Sequence, residues 1–315
     1  MLTVIGEALV DVVSRSGEQP RAHVGGSPMN VAVGLARLGH EVQFLGRWGR
    51  DEYGRQVAGH LAENGVRSPF EADSLPTSVA QATLDENGAA DYDFQLDWSL
   101  DVSPGRIDEL LADTDLLHVG SIGAMLEPGA SVVRQALERA HRHALISYDP
   151  NCRPSIIPDS SDARARAEQI VALAHVVKAS DEDLLWLHPQ RSVEDTARAW
   201  LDSGARLVVV TRGAMGPWAL SRGTGPEGVS VPAAKVAVAD TVGAGDSFMA
   251  ALLSSLADRQ ILGASAASSL DRLGAGEVTD LLRYAAAAAG VTVSRSGAQL
   301  PTREELPAQG GSGAG

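Results

Sequence analysis

Apolar residues recur along this chain with the periods of both strands and helices. Residues 2–13 read as a buried strand carrying one carboxylate, Asp11. Ser27-Pro28 opens a helix, since proline is acceptable at the first helical position. Val31, Leu35 and Leu38 form its apolar stripe, and Gly39 is its C-terminal stop. Residues 41–46 give a second strand, and a helix follows Gly49-Arg-Asp-Glu-Tyr-Gly54 to about residue 64. Over residues 79–96, Asn87-Gly88 signals a tight turn between two extended arms. In the second arm Tyr92, Phe94 and Leu96 alternate with polar neighbours, so one face is apolar and aromatic.

From residue 104 the pattern alternates helix and strand. Residues 116–120, 144–148 and 206–211 are short apolar strands, a further strand ends at Val176-Val177, and a helical segment spans 128–141. Such strands, separated by helices, predict a parallel sheet covered on both faces. Ligands of such sheets gather at the carboxyl ends of the strands. Gly120-Ser121, Asp149-Pro-Asn-Cys-Arg153, Ser180-Asp-Glu-Asp183 and Thr211-Arg-Gly213 all fall there. Residues 247–257 predict a helix with Phe248, Leu252 and Leu256 on one stripe, and residues 279–293 predict an alanine-rich one. No repeat and no linker composition divides the chain, so residues 1–303 are expected to form one domain and 304–315 a flexible tail.

Composition narrows the function. A formal net charge of −14 over 315 residues argues against nucleic acid or anionic membrane as partner. The one cysteine, Cys152, excludes a disulfide framework, and no signal peptide or membrane span is evident, so a cytoplasmic location is expected. Neither lysine, Lys178 or Lys235, lies in a G-x-x-x-x-G-K-S/T context. An anionic nucleotide would therefore be held by backbone amides, arginine and metal. No G-x-G-x-x-G follows the first strand, which disfavours a dinucleotide-dependent oxidoreductase.

The stretch Asp240-Thr-Val-Gly-Ala-Gly-Asp-Ser-Phe248 carries the most chemistry. Its glycines precede a helix, where unpaired N–H groups and the helix dipole favour an anion. Asp246 in that turn is either a cap or a general base. Amides that hold a transferred phosphoryl group, beside a carboxylate that takes a hydroxyl proton, suit phosphoryl transfer to an alcohol.

Asp240-Thr-x-Gly-Ala-Gly-Asp246 resembles the C-terminal signature of the ribokinase-like (PfkB) carbohydrate kinase family, and the resemblance runs from about residue 2 to 303. It implies an α/β three-layer sandwich with a mostly parallel central sheet and a small β lid from residues 11–26 and 78–98. The resemblance makes Asp246 the base and the amides of Gly243, Ala244 and Gly245 the anion hole. Asp11, Gly25, Gly26 and Asn30 match sugar-binding positions, and Tyr92 and Phe94 belong to a lid face that meets sugar, a second subunit or the core. Asp149-Pro-Asn151-Cys-Arg153 resembles the D-P-N-x-R segment of fructokinase-type members, placing Asn151 near the sugar and Arg153 near the phosphate path. Thr211-Arg212-Gly213-Ala-Met-Gly216 resembles a nucleotide turn. Ser180-Asp-Glu-Asp183 stands where the family has N-x-x-E, so Ser180 is expected near the nucleotide and Asp183 near the water shell of Mg²⁺. Arg295-Ser-Gly-Ala298 with Asp240 implies a monovalent-cation site for K⁺. The implied partners are ATP, a sugar and a second copy of the chain docked through the lid. D-fructose is the expected acceptor. 2-Keto-3-deoxygluconate and ribose are alternatives, as is a sugar or nucleotide sensor without catalysis.

Overall fold

A computed structural model describes residues 1–15, 20–84 and 90–308. The chain begins with β1 (Leu2–Ile5), β2 (Leu9–Arg15), β3 (Arg21–Gly25), α1 (Ser27–Arg37), β4 (Val42–Leu45), α2 (Glu52–Glu63), β5 (Ser78–Leu84) and β6 (Ala90–Gln95). It continues through α3 (Pro104–Leu111), β7 (Leu116–Gly120), α4 (Gly129–Ala140), β8 (Leu145–Asp149), α5 (Ser160–Val171), β9 (Val176–Ser180), α6 (Asp181–Leu187) and α7 (Val193–Ser203). The last elements are β10 (Leu207–Thr211), β11 (Trp218–Ser221), β12 (Val229–Ser230), α8 (Ala244–Asp258), α9 (Ala266–Leu270) and α10 (Ala275–Val293).

The main sheet has the order β12-β11-β10-β9-β8-β7-β1-β4. Its strands pair in parallel from β10 to β4, and β11 and β12 add antiparallel at one edge. Wholly apolar strands still divide by the period of two. Val4, Val176 and Val209 join the core under α1, α8 and α10, while Ile5, Val177 and Val208 join the core under the helices between β6 and β10. These are the three layers, and the expected ribokinase-like α/β architecture is the one observed.

The second sheet, β3-β2-β5-β6, is the lid. It is mixed: β2 runs parallel to β5 and antiparallel to β3, and β5 runs antiparallel to β6. Three residues, 6–8, carry the chain from β1 into β2 and act as its hinge. The lid's base is clamped by the buried Arg47, which donates to both carboxylate oxygens of Asp73 at 2.8 and 2.7 Å and to the carbonyls of Leu75, Pro76 and Asp97. Asp51 caps α2 through Gly54 N and also accepts from the backbone N–H and hydroxyl of Thr77, just before β5. The Gly49–Gly54 segment is therefore a turn, a cap and an anchor for the lid.

Several expected boundaries shift. α8 begins at Ala244 rather than residue 247, α10 begins at Ala275 rather than 279, and β9 runs on to Ser180 instead of ending at Val177. Packing also continues past residue 303, since Leu306 is buried in the core beyond a turn at Arg303–Glu305. This corrects the expected start of a flexible tail at 304. The Asn87-Gly88 turn lies outside the described residues, as does the side chain of Tyr92; residues 309–315 lie outside them too.

Candidate active site

The site forms where the N-termini of α1 and α8 meet beside the lid hinge. Gly243, with φ 76°, is the N-cap of α8 in the left-handed region that favours glycine. A Cβ there would also stand 2.6 Å from that of Ala298, so the loop after α10 lies against the turn. The first-turn amides of a helix have no intrahelical acceptor. The amide of Ala244 closes onto the Thr241 carbonyl at 3.3 Å, whereas those of Gly243 and Gly245 make no hydrogen bond among the described residues. Two of the three expected anion-hole amides are thus open, and the third is partly engaged.

Asp246 follows in the same turn and is buried. Its Oδ1 accepts from Ser27 Oγ at 2.6 Å and its Oδ2 from Asn30 Nδ2 at 2.8 Å. Asn30, expected as a sugar contact, holds the carboxylate with one of its two amide hydrogens. Ser27 does not cap α1; the N-cap is Gly26 at φ 110°, where a Cβ would lie 2.5 Å from the Glu7 carbonyl. Gly25 is small for a different reason. A Cβ on it would approach Asp11 Oδ2 to 2.7 Å, so the two glycines let β3 turn sharply into α1 beneath the lid carboxylate.

Asp11 sits in β2 opposite His23 and Ala80. It is exposed to solvent. Desolvation nonetheless raises its carboxyl above the usual range, with Arg153 and His23 opposing and Asp246 adding to the rise. Arg153 and Asp246 are therefore near enough for their charges to act on Asp11. Asn151, at φ 38°, receives Arg153 Nη1 on its Oδ1 at 2.6 Å, and the same nitrogen donates to two backbone carbonyls. Phe94 is half-buried in β6, whose register places Tyr92 opposite Ala82.

Two buried charges at the site went unassigned in the sequence. Glu7, on the hinge, accepts from Gly123 N at 2.7 Å. Burial pushes its carboxyl up to about 7, partly offset by its own backbone N–H, by Ser121 and Gly123, and by Arg153. Lys178, in β9, donates to Asp149 Oδ2 at 2.7 Å, both side chains being almost wholly buried. A charged residue inside an apolar run was the available signal, because such groups are rarely buried without a partner. Ser27 offered no such signal, since it reads as an ordinary helix start.

The turn expected to meet nucleotide follows β10. Thr211 ends β10, and Gly213 and Gly216 adopt φ 50° and 80° in the turn beyond it. Arg212 braces that turn through Gly216 O and Ser230 Oγ, both at 3.2 Å. Met215, Val236, Val238 and Val242 leave aliphatic surface exposed. Ser180 and Asp183 form a reciprocal cap of α6: Asp183 N donates to Ser180 Oγ, and Asp183 Oδ2 accepts from Ser180 N at 2.9 Å. Asp183 Oδ1 accepts from Cys152 N at 2.8 Å, which ties the Asp149–Arg153 turn to this helix. Asp240 accepts from Val242 N and Gly297 N at 3.0 and 2.9 Å and so pins the loop after α10. Among the described residues, no group of three or more His, Cys, Asp or Glu side chains forms a metal cluster, and no helix is long and apolar enough to cross a membrane.

A lidded α/β sheet with a held aspartate beside open helix-start amides defines a small-molecule phosphotransferase. The description "pfkB family carbohydrate kinase" matches residues 1–305, and the chain belongs to that family. It is 36% identical to a fructokinase of Rhizobium leguminosarum bv. trifolii over 86% of this chain and 84% of that one. It is 34% identical to a probable fructokinase-4 of Arabidopsis thaliana over 97% and 95%. The crystal structure of a fructokinase with bound ATP from Xylella fastidiosa superposes with a TM-score of 0.86 at 28% identity, covering 96% of each chain.

Proposed function

We propose that the protein transfers the γ-phosphate of ATP to D-fructose, giving fructose 6-phosphate and ADP. The observation that carries this reading is Asp246, held by Ser27 and Asn30 beside the open amides of Gly243 and Gly245. In the step, the sugar hydroxyl attacks the γ-phosphorus, Asp246 takes its proton, and the amides receive charge developing on the transferred group. Mg²⁺ enters as part of the nucleotide substrate and neutralises triphosphate charge. Asp183 would reach its water shell only through lone pairs left over from two backbone N–H contacts. K⁺ beside Asp240 is the companion proposal.

The similar fructokinases and the ATP-bound structure support the nucleotide and the sugar. A feature of this chain supports a neutral polyol over 2-keto-3-deoxygluconate, whose carboxylate needs a dedicated cation. Arg47 is committed to Asp73, Arg106 to Glu109, and Arg37 to Asn64, so none of the three serves the cleft. Asp11, Asn151 and the remaining amide hydrogen of Asn30 are the proposed hydroxyl partners, with Arg153 toward the phosphate. The nucleotide would lie along Thr211–Gly216. Docking through the lid as a homodimer and a cytoplasmic location complete the proposal.

An ADP-release assay over fructose, ribose, 2-keto-3-deoxygluconate and adenosine tests it. Fructose is expected to give the highest kcat/KM. A different best substrate removes fructose, and nucleotide binding with no turnover of any sugar favours the sensor.

A further inference from the structure

Beneath the glycine turn lies a charge that the reaction as described does not use. Lys178 is one of two lysines in the chain, and its ammonium is buried in contact with the equally buried Asp149. A Cβ built on Gly245 would come within 3.1 Å of Lys178 Nζ. Gly245 has no positive φ, so the tight feature at this position is the nearby ammonium and not the backbone conformation. Burial alone would lower the lysine pKa, but Asp149 first, then Asp183 and Asp246, hold it above the ordinary value. One buried cation thus contacts Asp149 on β8 and feels the charges of Asp183 on α6 and Asp246 on α8, next to the turn expected to receive a phosphoryl group. An ion pair this buried is a poor way to gain stability, because well-packed apolar side chains often serve as well. Its position under the turn gives it a use.

We propose that Lys178 is a positioning residue for phosphoryl transfer: anchored by Asp149, its ammonium places positive charge under the Gly243–Gly245 turn and offsets the charge of Asp246 and of the incoming phosphoryl group. This rests on the phosphotransfer reading above. The hydroxyl oxygen forms a bond to the γ-phosphorus, the bond to the β,γ-bridging oxygen breaks with its electron pair leaving on ADP, and the hydroxyl proton passes to Asp246. Lys178 keeps its protons throughout and touches no reacting atom.

The decisive variant is Lys178→Met combined with Asp149→Asn, which removes both charges together and leaves no buried carboxylate unpaired. Its kcat is expected to fall by at least about 10²-fold while KM for the sugar stays within a few fold, as when a transition-state interaction is lost. Asp149→Asn alone removes the ammonium's anchor but leaves the charges of Asp183 and Asp246, and is expected to lose less kcat than the double variant. A folded double variant with near wild-type kcat overturns the proposal. The acceptor is whichever sugar the wild type turns over best. Failure with fructose but turnover of another sugar removes the fructose reading and leaves this comparison readable, whereas a wild type that phosphorylates no sugar overturns both.

Discussion

Asp246 is held in place by two donors more than two hundred residues away in sequence, and each contributes a hydrogen bond to a buried carboxylate. Bonds to charged groups are worth about 1.5–3 kcal/mol. Ser27→Ala should therefore lower kcat by roughly tenfold or more with little change in KM for the sugar; stopped-time product assays at saturating ATP measure this. Glu7 makes a prediction about stability. Its carboxyl titrates at about 7 in the folded chain against 4.5 for the free group. Between those values the unfolded chain has already lost the proton that the folded chain keeps. The contribution of Glu7 is therefore fully present below about pH 4.5 and is lost as pH rises toward 7, a change on the order of 3 kcal/mol at about 1.4 kcal/mol per pH unit. Denaturant melts of wild type and Glu7→Gln at pH 5 and pH 8 should show the wild type losing stability relative to the variant. Parallel behaviour at both pH values would contradict the burial argument. Ser27 was not legible as functional, because what defines it is a partner brought by the fold from a distant segment, whereas Glu7 showed only as a charge inside an apolar run.

At the scale of elements, the glycines divide into those the fold requires and those it does not. Gly26→Ala puts a side chain at φ 110° and against the Glu7 carbonyl. It is expected to cost roughly 1–3 kcal/mol. Gly59 lies in α2 with open space around its position. Gly59→Ala should stabilise the protein by about 0.5–1 kcal/mol, through helix propensity and a less flexible unfolded chain. Equal denaturant midpoints for the two variants would break this distinction. The parallel strands were legible because they are continuous apolar runs. The end of β9 was not, because Lys178 and Ser180 interrupt the apolar pattern while the strand continues through them. The start of α8 was hidden for the opposite reason: Gly-Ala-Gly-Asp reads as a loop, yet its last three residues are already helical.

At the scale of the molecule, the lid defines the remaining tests. β6 is an end strand of the lid sheet among the described residues. If a second copy docks there, light scattering should give twice the mass of one chain, and charged substitutions at Phe94 should return it to a monomer. The α/β core was legible from its alternating helices and strands, whereas the small lid sheet came from the family resemblance. Its mixed pairing, with β2 beside β5, was not legible, because those strands are brought together across the main-sheet elements between them. The central claim is that Asp246 removes the proton of a sugar hydroxyl while ATP gives up its γ-phosphate. The most direct measurement is the rate of fructose 6-phosphate formation by wild type and Asp246→Asn, which keeps acceptor geometry toward Ser27, at saturating ATP and fructose. The account predicts a kcat roughly 10²–10⁴-fold lower in the variant with nucleotide binding preserved. A variant that forms fructose 6-phosphate at near wild-type rate would contradict it.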